Sequence, residues 1–331
     1  MNARNVSLAI LAAIVVAALL AAPLVLKSYG IYILSLWAVT TIGAIGLNLT
    51  LGYAGQISLA QAAFVGIGAY CAAILTKNGY PLPFAYVLAF ASCFSIGWIL
   101  GYPALRVEHH YLAFVTLAFT TLVYLIFRNE EWLTGGVSGI GGIPRPVIFG
   151  YSLKGAAEFY YFCLANLAVV SLAFWWLIRS PWGRAFVAVR ENPIRALSLG
   201  VDTRRYTLMA FAIGAGLGGI SGVLLAPLVQ FIDPSPFSLT ASLNLLLMVV
   251  IGASGYFFGP FVGAIVAVLL PEWLRFSGGL YLIFYAVLVM VLMAVCPTGL
   301  IGLAGRVLKL VSKPAAPAAK AAMERTLERT T

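Results

Sequence analysis

The chain has 331 residues, 62% hydrophobic and only 9% charged, with a mean hydropathy of +1.01. A soluble domain carries roughly a quarter charged residues, so this composition excludes a soluble protein and specifies an integral membrane protein with many spans. The formal charge of +10 is not a nucleic-acid footprint: the excess sits in Arg4, in 179–205, and in Arg306, Lys309, Lys313, Lys320, Arg325 and Arg329, a pattern that sets orientation and meets anionic membrane lipid.

Residues 6–26, behind Arg4, form an apolar run too long for a cleaved signal peptide and long enough to cross a bilayer. Further spans are expected near 31–51, 57–76, 83–104, 110–127, 159–178, 206–230, 240–256, 260–274 and 280–296. The fold class is therefore all-α, a polytopic bundle of about 10 transmembrane helices. The pair around Gly255–Pro260 is short enough to re-enter instead, which would lower the count to about 8. Residues 1–305 read as one transmembrane domain and 306–331 as a disordered cytoplasmic tail.

Charge orients this arrangement. With the N-terminus inside, six crossings return 179–205 to the cytoplasm, and four more leave the C-terminus there. The glycine-rich loop 128–158, whose charges balance, falls outside. The small loop at Arg106 falls inside.

The loop 179–205 holds Arg179, Arg184, Arg190, Arg195, Arg204 and Arg205, opposed by Glu191 and Asp202. Asn192 suits a helix N-cap, Pro193 the first helical position, and Gly200 the stop just past the end. The spacing predicts a helix over 193–199. Two turns are marginal alone in water, so the expectation is a helix docked on a separate soluble subunit.

Ionisable groups are missing from 28–76, 206–232, 234–271 and 276–305, which argues against a proton-coupled carrier. Neutral polar residues remain in or near the spans: Asn48, Gln56, Ser58, Gln61, Thr116, Thr120 and Asn244. The run 52–58 interrupts an apolar stretch and reads as a helix break. These groups either line a polar path or bond helix to helix. Gly214, Gly218 and Gly222, and again Gly255, Gly259 and Gly263, recur every four residues. Such rows lie on one helix face, for close packing or for sliding.

Catalytic and cofactor chemistry find little here. Cys71, Cys93, Cys163 and Cys296 lie apart in apolar runs, with no metal spacing. Glu108-His109-His110 is the lone Glu/His cluster, too small for a metal site, and reads as interfacial. No P-loop pattern occurs. No metal, no cofactor and no enzymatic activity are expected of this chain.

Several stretches together resemble a known family. GLNLTLGYAGQISLAQAAFVGIGAY (46–70) is similar to the early signature of the LivH/LivM family, the permease subunits of branched-chain amino acid ABC importers. YLAFVTLAF (111–119), LTGGVSGIGGIP (133–144), 183–227, PEWLR (271–275) and CPTGL (296–300) look like the M-type member in order and spacing. The resemblance implies a bacterial inner-membrane permease paired with an H-type permease. Two cytoplasmic ATP-binding subunits would power it, and a periplasmic or lipid-anchored binding protein would deliver substrate. It also implies that Arg190, Glu191, Asn192, Pro193, Ile194, Arg195, Ala196, Leu197, Leu199 and Gly200 contact an ATPase subunit. Relatives of this type also serve urea, amides and aromatic acids. The chain departs from the family pattern at Glu108-His109-His110-Tyr111 and at Gly252-Ala253-Ser254-Gly255, where many relatives carry Gly-Gly-x-Gly.

Overall fold

The computed structural model describes residues 16–104, 111–148, 151–274, 287, 290–291 and 299–302. Arg4, Arg106, Glu108-His109-His110, Cys296, most of the span expected at 280–296 and the tail 306–331 lie outside the described residues.

An apolar helix α1 (Val16–Val25) leads into α2 (Ser28–Asn48), which runs on through a π-helical turn, Leu49–Tyr53. After an irregular stretch come α3 (Gln61–Lys77), α4 (Leu82–Ala104) and α5 (Tyr111–Asn129). The short α6 (Glu131–Thr134) opens the long polar loop, and α7 (Ala156–Arg179) closes it. Then follow α8 (Pro181–Glu191), α9 (Pro193–Ser198), α10 (Thr203–Val229) and α11 (Leu239–Gly252). Last come α12 (Gly259–Ala264) and α13 (Leu270–Leu274), joined by a π-helical segment, Ile265–Leu269.

Among the described residues five helical stretches are long and apolar enough to cross a membrane: Ser28–Tyr53, Leu82–Pro103, Leu112–Asn129, Ala156–Arg179 and Thr203–Val229. Val16–Val25, α3, α11 and Gly259–Trp273 are apolar but shorter. The 14 residues of α11 rise about 21 Å, less than the ~30 Å hydrocarbon layer. It forms a short hairpin with Gly259–Trp273 about a turn at 253–258.

The core is built on α10, which packs against α2, α3 and α4. Small residues allow this. A Cβ on Gly68 or Gly222 would run into backbone of the facing helix, Gly219 or Val65 respectively, and one on Gly214 would run into Gly46. Contacts also fix directions. Gly43 and Gly46 of α2 meet Ser221 and Gly214, and Gly101 and Gly97 of α4 meet Leu208 and Ala215, so both helices run antiparallel to α10. Gln61 and Gly68 of α3 meet Gly214 and Gly219, so α3 runs parallel to it. The first helix is hooked on: the Tyr160 and Tyr161 hydroxyls of α7 donate to the Leu19 and Leu20 carbonyls of α1 at 2.8 and 2.9 Å.

The polar loop before α7 is pinned rather than loose. Strand β1 (Ile140–Gly141) pairs antiparallel with β4 (Phe231–Ile232), just past α10, and β2 (Val147–Ile148) pairs with β3 (Tyr151–Ser152). These two-residue strands are invisible to periodicity. They amend an all-α expectation only in the connections before α7 and after α10.

Directions and contacts sort the charges onto two ends. One end gathers the six arginines of 179–205 against Glu191 and Asp202. Among the described residues the other gathers Lys27, Lys77, Arg128, Arg145 and Lys154 with Glu130, Glu131, Glu158, Asp233 and Glu272, which balance. Tyr29 and Glu272 meet there, the hydroxyl donating at 2.5 Å.

Candidate functional site

The strongly basic end is the site that sequence reasoning pointed to, and it is more ordered than expected. One helix was expected over 193–199, with the next span starting near 206. The structure has α8 and α9, and α10 starts at Thr203. Each begins the same way. Ser180 Oγ accepts from Trp182 N, Asn192 Oδ1 from Arg195 N at 3.0 Å, and Asp202 Oδ1 from Arg205 N at 3.0 Å. Pro181 and Pro193 occupy first-turn positions where no backbone donor is needed. Ser180-Pro181 was the missed signal, the same cap-and-proline pair as Asn192-Pro193. Leu199 caps α9, and Gly200 follows at φ +83°, a left-handed stop.

The two short helices differ in anchorage. α8 buries Gly183, Ala185, Phe186 and Val189, and Phe186 meets Tyr206 of α10 edge-on at 6.1 Å. Only Ala196 of α9 is buried, while Ile194, Leu197 and Leu199 are 81, 62 and 82% exposed. Glu191 and Arg195 are exposed beside them. Among the described residues nothing covers this small apolar face.

Arg190 behaves differently from its neighbours. Its Nη1 donates to the Gly52 carbonyl in the π-helical turn that ends α2. Its stem lies on Gly55, where an added Cβ would sit 3.1 Å from Cγ. Gly55 (φ +72°) and Gly255 (φ +80°) adopt left-handed backbone, and a Cβ on Gly255 would strike the guanidinium. The same point is braced by Asn48. Its Oδ1 accepts from Gly255 N at 2.9 Å and its Nδ2 donates to the Tyr256 carbonyl at 3.0 Å. Tyr53 packs edge-on against Phe174 at 5.5 Å, and Phe174 stacks on Phe257 at 5.9 Å. The expected break at 52–58 and the turn at 253–258 are thus one cluster beneath α8. Gly255 belongs to this turn and does not share the helix face of Gly259 and Gly263, which pack on Ala253 and Met248. Ala253 stands at φ +97°, a conformation that favours glycine.

The neutral polar residues divide. Gln61 Nε2 donates to the Gly43 and Gly214 carbonyls at 2.9 and 3.2 Å, joining α2, α3 and α10. Thr116 Oγ1 accepts from Leu59 N at 3.0 Å, and Thr120 Oγ1 donates to the Leu59 carbonyl at 2.7 Å, which fastens the break to α5. Ser58 Oγ accepts from Ala60 N at 3.3 Å. Gln56 is buried, its backbone N–H on the Thr50 carbonyl. Asn244 is exposed on α11, beside exposed Leu243. Sequence reasoning missed Ser242, which accepts from Ala62 N at 3.1 Å, and the facing glycines Gly43, Gly46 and Gly68. Among the described residues no group of three or more His, Cys, Asp or Glu is placed to hold a metal.

Fold and site define a helical integral membrane protein whose longest basic segment is folded against two breaks at one end of the bundle. Residues 29–296 match a family described as the branched-chain amino acid transport system permease component, and the chain belongs to that family. The high-affinity branched-chain amino acid transport system permease protein LivM of Escherichia coli (strain K12) is 33% identical over 297 residues, covering 80% of this chain and 68% of LivM. LivM of Salmonella typhimurium is 33% identical over 293 residues, 81% of this chain and 69% of that protein. The autoinducer 2 import system permease protein LsrC of Enterobacter sp. (strain 638) is 28% identical over 245 residues, 69% of each chain. No solved structure matches.

Proposed function

We propose that this chain is the M-type permease of an ATP-driven importer of branched-chain amino acids in the bacterial inner membrane. It crosses the membrane about eight to ten times, the lower count if the short hairpin of α11 and Gly259–Trp273 re-enters, with both termini inside. An H-type permease completes the pathway, two ATP-binding subunits drive it, and a periplasmic or lipid-anchored binding protein delivers the solute. The observation that carries this reading is α9: a capped helix of six residues presenting Ile194, Leu197 and Leu199 outward. A helix so short is stabilised by what it docks on, and an ATPase subunit is the partner that fits a permease. Asn192, Pro193 and Gly200 shape the helix, Ala196 seats it, and Arg190, Glu191 and Arg195 flank it with charge.

The pathway runs between the two permeases, so its lining comes from groups that the single chain leaves open. Asn244 is the first candidate, with Ile57 of the break, which is 46% exposed; Gln56 and Ser58 stand next to it. Asn48, Gln61, Thr116 and Thr120 brace the wall behind.

The test is ATP-dependent uptake of labelled leucine by proteoliposomes holding the full complex, with urea, an aromatic amino acid and autoinducer 2 as alternative solutes. Leucine uptake that requires ATP and the binding protein supports the reading. Uptake of another solute alone overturns the substrate, and uptake by the purified single chain without ATP overturns the class.

A further inference from the structure

We infer that Arg190 is a positioning residue, a tether that makes α8–α9 and the two helix breaks move as one body. The inference rests on the coupling role of α9 proposed above and assigns Arg190 a task that ATPase contact alone would not require. Two covalently distant segments, the Gly52–Gly55 break and the Gly255 turn, meet on the Arg190 side chain that α8 carries. Asn48 then cross-links the break to the turn through both ends of its amide. Glycine at 52, 55 and 255 is what lets the backbones approach this closely, since a Cβ at any of them would meet Arg190, Asn48 or the facing chain. The break ends α2 and precedes α3; the turn separates α11 from α12. A displacement of α9 therefore reaches both helix pairs through one side chain, without passing along α10.

Geometry also says why arginine serves. The planar guanidinium carries five donors in a fixed fork. One donor engages the Gly52 carbonyl while the stem lies along Gly55. A lysine keeps a cation and a donor but not the fork, so it should restore part of the linkage.

Spin labels at Ser198→Cys on α9 and Phe258→Cys in the turn, with Cys71, Cys93, Cys163 and Cys296 replaced by Ser, read the tether directly. In the full chain in nanodiscs, the distance between labels should be narrowly distributed with Arg190, broad in Arg190→Ala, and intermediate in Arg190→Lys. In the assembled transporter, Arg190→Ala should lower solute uptake per ATP hydrolysed at least about fivefold, the lower edge of typical coupling energies, with partial rescue by Arg190→Lys. An unchanged distance distribution in Arg190→Ala overturns the tether. So does an unchanged transport ratio in the complex. The nanodisc measurement uses no partner and no solute, so failure of the ATPase or substrate assignment leaves it standing.

Discussion

At the residue scale, two kinds of small polar chemistry hold the bundle together. Gln61 gives each of two helices one side-chain hydrogen bond, but both acceptors, Gly43 and Gly214, lie in helices whose backbones are already paired. Replacing it by leucine preserves volume and should cost about 0.6 kcal/mol per lost bond, read as a small fall in thermal stability in detergent with uptake retained. Loss of uptake at unchanged stability would instead place Gln61 in the pathway. The glycines are less forgiving. A Cβ on Gly222 would overlap Val65 backbone, so Gly222→Ala should destabilise by about 1–3 kcal/mol through overpacking, at least as much as the loss of both Gln61 bonds. Ala253 is the converse case. Its φ of +97° stores of the order of 1–3 kcal/mol, and Ala253→Gly should raise the melting temperature unless glycine's larger unfolded-state entropy offsets the gain. The spacing of Gly214, Gly218 and Gly222 was legible as a row. Its partners on α2 and α3 were not, because a close approach involves two helices and one sequence reveals only one of them at a time.

At the element scale, 179–205 contrasts an anchored helix with an unanchored one. α8 buries Phe186 against α10, whereas α9 keeps three apolar side chains in water. Burying Ile194, Leu197 and Leu199 against a partner would contribute about 1.5–3 kcal/mol each, while the isolated chain gains nothing from them. Changing all three to Ser should therefore leave the melting temperature of the purified chain within a degree or two and weaken ATPase-subunit binding at least tenfold, measured by co-purification across a salt series. Equal binding would remove α9 from the interface. This element was readable because caps act locally, within three residues. The π-helical turn at Leu49–Tyr53 was not, since it depends on Gly255 and Arg190, more than a hundred residues away.

At the scale of the whole molecule, orientation follows from charge. Where the loop 179–205 places six arginines against two acids, the opposite end, among the described residues, sets five basic against five acidic side chains. Cytoplasmic loops carry the Lys/Arg excess, and this supports the proposed placement of the α8–α9 end in the cytoplasm. The apolar runs made the helices themselves legible. They also marked the pair around Gly255–Pro260 as short; what they could not reveal was the turn at Ala253–Gly255, packed on Asn48 and Arg190, that limits α11 and Gly259–Trp273. Sidedness is open to direct measurement. In a background without native cysteines, a membrane-impermeant maleimide should label Ser198→Cys only in inside-out vesicles. It should label Val137→Cys, in the loop where Val137 is 69% exposed, only in right-side-out vesicles. The reverse pattern would put the exposed face of α9 where no ATPase could reach it, and the coupling role of that helix would not survive, although the contacts of Arg190 with the two breaks do not depend on sidedness.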